Sequence, residues 1–187
     1  MSLPKNIVLT GPPGVGKTTL VKKVCDSLIQ SGANVCGFYT EEQRKNGRRI
    51  GFDVVTVDGS RRAPLARLRN LVKDVTGPSV GQYIVCVQSF EEVALPALQQ
   101  SCNYDVIVLD EVGKMELFSR SFDNLVRQSL DSSTVMLVTV PLTSGKQIPV
   151  VEKIKCCPDS SLFVVSRDNR DRLASNILAT LTAITTK

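Results

Sequence analysis

Gly11-Pro12-Pro13-Gly14-Val15-Gly16-Lys17-Thr18-Thr19 is the stretch on which the reading of this chain turns. A glycine, four residues, then Gly-Lys-Thr is the spacing of a phosphate-binding loop. The stretch follows an apolar run, Ile7-Val8-Leu9-Thr10, and opens onto a helical pattern, so its context is strand, loop, helix. Glycines let the backbone curl with its N–H groups turned inward, which makes a nest for anions. The helix starting near Lys17 adds the positive end of its dipole. In such a loop Lys17 reaches the β- and γ-phosphates, and the Thr18 hydroxyl is placed to ligate Mg²⁺.

A second signal lies about 90 residues downstream. Val106-Ile107-Val108-Leu109 is a short apolar run of the kind buried in a parallel sheet, and it ends in Asp110-Glu111. An acid there holds Mg²⁺ opposite Thr18, so Asp110 is the second candidate metal residue. Glu111, next to it, is placed to orient or deprotonate a water beside the γ-phosphate. Lys17 and Glu111 are thus the candidate catalytic residues. Lys114 and Glu116 follow closely, and either can face the site or pair with the other at the surface.

Between and beyond these signals, strand and helix patterns alternate. Leu20, Val21, Val24, Cys25, Leu28 and Ile29 form one helix face, and Gly32 is a candidate C′ residue. Val35 to Thr40 and Arg49 to Val57 read as strands. Asn46-Gly47 and Asp58-Gly59 are turn dipeptides, which predicts an antiparallel hairpin beside a parallel core. Residues 60–80 read as irregular, and Tyr83 to Val87 as a short strand. Ser89 with Glu92 is a capping-box signal for a helix that Pro96 should kink or end. A helix stripe through Phe122 and Leu130, a strand over Thr134 to Val140, a short helix near Val150, a strand over Leu162 to Val165 and a terminal helix complete the chain. Such alternation predicts one α/β domain over 1–187, an open, mostly parallel sheet covered by helices on both faces. Ligands bind at the carboxyl ends of the strands in these sheets, where Gly11 and Asp110 both fall.

Composition excludes several alternatives. Hydrophobic residues at 42% and charged residues at 22% are those of a folded domain rather than a disordered chain. No run approaches the roughly 18 apolar residues of a membrane span, and the N-terminus leads into the first strand with no signal-peptide pattern, so a cytoplasmic location is expected. Histidine is absent, so a general base must be a carboxylate. Six scattered cysteines, none in a C-x-x-C pair, read as reduced thiols rather than a zinc site. Residues 41–73 hold nine basic residues against four acidic ones, which accounts for the whole net charge of +5. A basic segment suits polyphosphate, nucleic acid or a solvated face, and no RNA-recognition or helix-turn-helix pattern favours nucleic acid. Arg48, Arg49, Arg167 and Arg170 are candidates for a charge-stabilising finger.

Four blocks taken together resemble the THEP1 family of nucleoside-triphosphatases: the Gly11–Thr19 loop, Gly37-Phe-Tyr-Thr-Glu-Glu42, Arg48-Arg-Ile-Gly-Phe-Asp-Val-Val55 and Asp110-Glu-Val-Gly-Lys-Met-Glu-Leu117. The likeness covers nearly the whole chain, and the last block is its most specific part. It implies a compact RecA-like fold and Mg²⁺-dependent hydrolysis of several nucleoside triphosphates to diphosphate and phosphate. Its nucleotide-contacting segments map onto Gly11–Thr18 and Val106–Gly113. A monomer acting on nucleoside triphosphates, without a membrane or nucleic-acid partner, is the expectation. A small-molecule or nucleotide kinase and a nucleic-acid-dependent ATPase are the competing readings on the same core. The guanine-reading Asn-Lys-x-Asp motif of switch GTPases does not occur.

Overall fold

The computed structural model describes residues 4–72, 76–99, 103–142 and 147–185. Lys73 and Cys102 lie outside the described residues. Nine strands form one sheet in the order β5-β6-β4-β3-β2-β7-β8-β1-β9. They are β1 (Asn6–Thr10), β2 (Val35–Lys45), β3 (Arg48–Thr56), β4 (Arg62–Leu68), β5 (Ser79–Val80), β6 (Tyr83–Val85), β7 (Val106–Asp110), β8 (Val135–Thr139) and β9 (Ser160–Val164). The helices are α1 (Lys17–Gln30), α2 (Val87–Gln99), α3 (Arg120–Asp131), α4 (Pro149–Cys156) and α5 (Arg170–Thr185).

Strands β2, β7, β8, β1 and β9 are mutually parallel. Their alternate residues pack in opposite directions, as the pleat requires. Val8, Phe38, Ile107, Leu109 and Met136 meet α2, α3 and α4 on one face. Ile7, Leu9, Val106, Val108 and Leu137 meet α1 and α5 on the other. Three rings anchor the first layer. Phe38 lies 5.5 Å from Phe90 and 5.7 Å from Phe122, each edge-on or tilted, the geometry aromatic quadrupoles prefer. Helix α1 buries Leu20, Val21, Val24, Cys25 and Leu28, while Ile29, predicted on that face, is exposed. Its C-terminus closes as a Schellman motif, with Gly32 N donating to Ile29 O and Ala33 N to Leu28 O.

The antiparallel part is wider than a hairpin. Beyond the β2–β3 pair, with Asn46 and Gly47 both at positive φ in its turn, β4, β6 and β5 add three more antiparallel strands. The irregular segment predicted for 60–80 therefore contains β4, whose Pro64 sits opposite Asp53 at a register shift, where a missing N–H is tolerated. Helix α2 starts at Val87, so Ser89 lies inside it and is not its cap. Pro96 is accommodated within α2, and the carbonyl of Glu92 four residues earlier accepts a long contact from Arg61 Nη1 at 3.5 Å.

Four of the eight described basic residues of the antiparallel wing are ion-paired. Glu42 takes Arg44 and Arg49, Glu41 takes Lys22 and Arg62, and the buried Asp53 takes Arg62 and Arg67. Among the described residues no helix is long and apolar enough to cross a membrane. The five described cysteines are free; Cys25 and Cys36 are buried, whereas Cys156 is exposed.

Candidate active site

The carboxyl ends of β1, β8, β7 and β2 open on a cavity of about 800 Å³. The loop after β1 forms one wall. Gly14 and Gly16 hold φ of 73° and 102°, a left-handed backbone that a side chain would strain, and this curls the loop toward α1. Gly11, Pro13, Gly14, Gly16, Lys17, Thr18 and Thr19 line the cavity. Pro12 and Val15 instead shape the loop: Val15 N donates to Pro12 O at 3.3 Å, and the Val15 side chain is buried in the core against α1 and α5. Lys17 Nζ lies folded into the loop, donating to Gly11 O at 2.9 Å and Pro12 O at 3.4 Å.

Asp110 and Glu111 arrive from β7, two strands from β1, with β8 between. Asp110 is buried, and its Oδ1 accepts from Thr139 Oγ1 of β8 at 2.6 Å. Burial pushes its carboxyl pKa up, and the Thr139 and Thr18 hydroxyls and the Lys17 charge oppose that. Its other oxygen, Oδ2, is buried without a hydrogen-bond partner among the described residues. An orphaned carboxylate oxygen facing a threonine hydroxyl is a hard-oxygen donor set, which fits Mg²⁺. Glu111 is half-buried, with Oε2 4.0 Å from Lys17 Nζ. Burial raises its pKa most, Lys17 lowers it, and Asp110 raises it again.

One feature escapes the sequence reading. Thr139 ends a run of strand-forming residues and carries no motif; only its place beside Asp110 in the sheet reveals it. Of the two readings of Lys114 and Glu116, the fold takes the one that turns them to the site: both line the cavity, and Glu116 is buried rather than paired with Lys114 at the surface. Its Oε2 accepts from Gly113 N at 3.1 Å, in the turn that carries Glu111 away from the sheet. Burial, then the neighbouring Glu111 charge, pushes its pKa up to about 8. Gly113 separates the two acids: a Cβ there would stand 2.8 Å from Glu111 Oε1 and 3.2 Å from Glu116 Oε2. Of the arginine candidates, Arg49 lines the cavity while tied to Glu42. Arg170 Nη1 reaches Val15 O at 3.4 Å from the outer flank of the loop, and Arg48 and Arg167 are exposed.

An anion cradle on β1, a buried acid on β7 and one strand between them define a RecA-like P-loop nucleotide-binding protein. The chain matches the NTPase family model over residues 6–178 and belongs to this family of nucleoside-triphosphatases. It is 46% identical over 184 residues to the mouse cancer-related nucleoside-triphosphatase homolog, covering 94% of this chain and 95% of the relative. It is 41% identical over 177 residues to nucleoside-triphosphatase THEP1 of Thermotoga sp. (strain RQ2), covering 94% of each. The solution structure of the human cancer-related nucleoside triphosphatase superposes with a TM-score of 0.80 at 44% identity, over 96% of this chain and 98% of the other.

Proposed function

We propose that this nucleoside-triphosphatase hydrolyses nucleoside 5′-triphosphates of several bases to diphosphate and phosphate, with Lys17 and Glu111 as its catalytic residues. The observation that carries the reading is the Glu111 carboxylate 4.0 Å from the Lys17 ammonium at the mouth of the loop. A γ-phosphate beside Lys17 sets the attacking water beside Glu111. Glu111 takes the water proton as the water oxygen bonds to phosphorus and the bridging bond to the diphosphate breaks. Lys17 and the N–H groups of Gly14 to Thr19 take up the charge of the oxygens. Mg²⁺ would be held by Thr18 and Asp110, with Thr139 orienting Asp110, and would supply charge neutralisation between the β- and γ-phosphates.

The absence of a guanine-reading motif supports broad base use. Ion pairing across the wing favours the solvated-face reading of the basic segment over nucleic-acid binding. The reading includes one domain over 1–187, a monomer and a cytoplasmic setting, the last in keeping with the free thiols. Phosphate release from ATP, GTP, CTP and UTP tests it, with Mg²⁺ and with EDTA. Each should release phosphate without any acceptor, and none should in EDTA. Release that required an added acceptor or DNA would contradict it.

A further inference from the structure

The cavity reaches further than a triphosphate and a water require. Across the sheet the order runs β9, β1, β8, β7, β2, β3, β4. The phosphate loop stands on β1 and Glu111 on β7. Past Glu111 the cavity continues over β2 into the antiparallel wing, where Phe52, Leu65, Val80, Met115, Ile148 and Val151 wall it. These residues come from β3, β4, β5, the turn after β7 and the start of α4, so distant parts of the chain converge on one apolar chamber. Apolar walls with a few convergent polar groups are the make-up of a small-molecule site.

Loop chemistry orders the substrate against that chamber. The backbone cradle holds the α- and β-phosphates, and the lysine marks the β- and γ-phosphates. Glu111 stands on the γ side of Lys17, so the chamber lies beyond the γ-phosphate, on the nucleophile's side. The opposite flank of the loop is bordered by Arg170 of α5, whose Nη1 lies 3.3 Å from the position of a Cβ on Gly16, and the nucleoside would lie on that side.

The polar groups of the chamber suit an uncharged ligand. Its lining cations Lys22 and Arg49 are tied to Glu41 and Glu42, and Lys114 is exposed at its rim. Glu116, buried on its wall with a pKa near 8, is an un-ionised carboxyl at neutral pH beside the Glu111 base. The Phe52 ring lines the chamber; Tyr83 meets it edge-on, with centroids 5.4 Å apart and planes 62° apart, and the Arg49 guanidinium stands 5.4 Å from its centroid, so Phe52 is the aromatic surface on which a ring can pack.

We infer that this chamber is a second substrate site for an uncharged alcohol carrying a flat aromatic ring, the chemistry of a nucleoside, and that the protein transfers the γ-phosphoryl group to its hydroxyl. The alcohol oxygen bonds to the γ-phosphorus, and the bond from that phosphorus to the bridging oxygen breaks. The diphosphate leaves with the electron pair, and the hydroxyl proton passes to Glu111. The products are a phosphate ester and the diphosphate. The inference rests on the proposed role of Glu111, since water and alcohol would share one base.

The test incubates the full chain with Mg²⁺ and ATP plus adenosine, thymidine, benzyl alcohol or glycerol, and follows ³¹P NMR for a new phosphomonoester. An ester is expected with at least one ring alcohol and none with glycerol. Phe52→Leu and Ile148→Ala should each cut ester formation about tenfold, and leave acceptor-free phosphate release and the KM for ATP unchanged. Two variants are used so that a folding defect in one, seen as a lowered Tm, leaves the other decisive. Phosphate alone from every ring alcohol would overturn the inference. So would ester yields indifferent to both variants, or a raised KM for ATP without acceptor, which would put the base of the triphosphate in the chamber. Preference for a nucleoside monophosphate would overturn the uncharged class. Failure of the hydrolytic reading is distinct: it would appear as no phosphate release in the acceptor-free control.

Discussion

Lys17 is already committed to the loop before substrate arrives, donating to two of its carbonyls with only a tenth of its side chain exposed. It supports the curl that it later serves, yet it is no part of the apolar core. Lys17→Ala should therefore lower kcat by at least about 10²-fold and weaken triphosphate affinity, with Tm nearly unchanged. Normal turnover in that variant would remove the loop from the mechanism. Glu116 makes a separate prediction about stability. Its pKa rises from 4.5 to about 8 on folding, so between those values the folded state binds more protons than the unfolded one. Stability must then fall as pH rises through that window. Glu116→Gln keeps an acceptor for Gly113 N–H and cannot ionise. Its Tm should decline less than that of the wild type between pH 5 and pH 8, as thermal melts at the two ends will show. Equal declines would place the ionisation of Glu116 outside this window.

At the level of elements, periodicity and caps carry most of the legible information, and their failures are local. Helix α3 was readable from its stripe. Its start was not marked by a full capping box, yet Ser119 caps it by accepting from Phe122 N at 3.0 Å while donating to Glu91 of α2. Ser119→Ala should cost about 1 kcal/mol and lower Tm by about 2–4 °C, measured by calorimetry, without a change in kcat. Ser89 shows the converse. Its capping spacing is correct, but the chain enters α2 two residues earlier, so tertiary context overrode the local signal. Strand β4 was hidden because Pro64 and its two arginines argue against a strand when read locally. The register shift at Asp53 excuses the proline, and Asp53 with Glu41 absorbs both arginines.

Across the whole molecule, what the sequence could not display is adjacency. The loop and Asp110-Glu111 were each legible, because a phosphate cradle and a strand-terminal acid carry local patterns. The insertion of β8 between their strands follows from crossover connections and carries no local trace. That insertion is what brings Thr139 onto Asp110. The basic segment is a case of adjacency too. Its excess charge left polyphosphate, nucleic acid and a solvated face open; in the fold Arg49 and Arg67 pair with acids of the adjacent strand, Arg62 with Asp53 and Glu41, and Arg44 with Glu42 of its own strand. The apolar chamber was invisible for the same reason, since its walls come from β3, β4, β5 and α4.

In the proposed mechanism Glu111 activates the nucleophile while Lys17, Thr18 and Asp110 hold the substrate. Glu111→Gln keeps the size and hydrogen bonding of the side chain and removes its charge and basicity. Nucleotide affinity and single-turnover hydrolysis should be measured together on this variant and on Asp110→Asn. Glu111→Gln should bind ATP and Mg²⁺ as the wild type does and hydrolyse about 10²–10⁴-fold more slowly, whereas Asp110→Asn should show a raised Mg²⁺ requirement. Wild-type single-turnover hydrolysis by Glu111→Gln would contradict that mechanism.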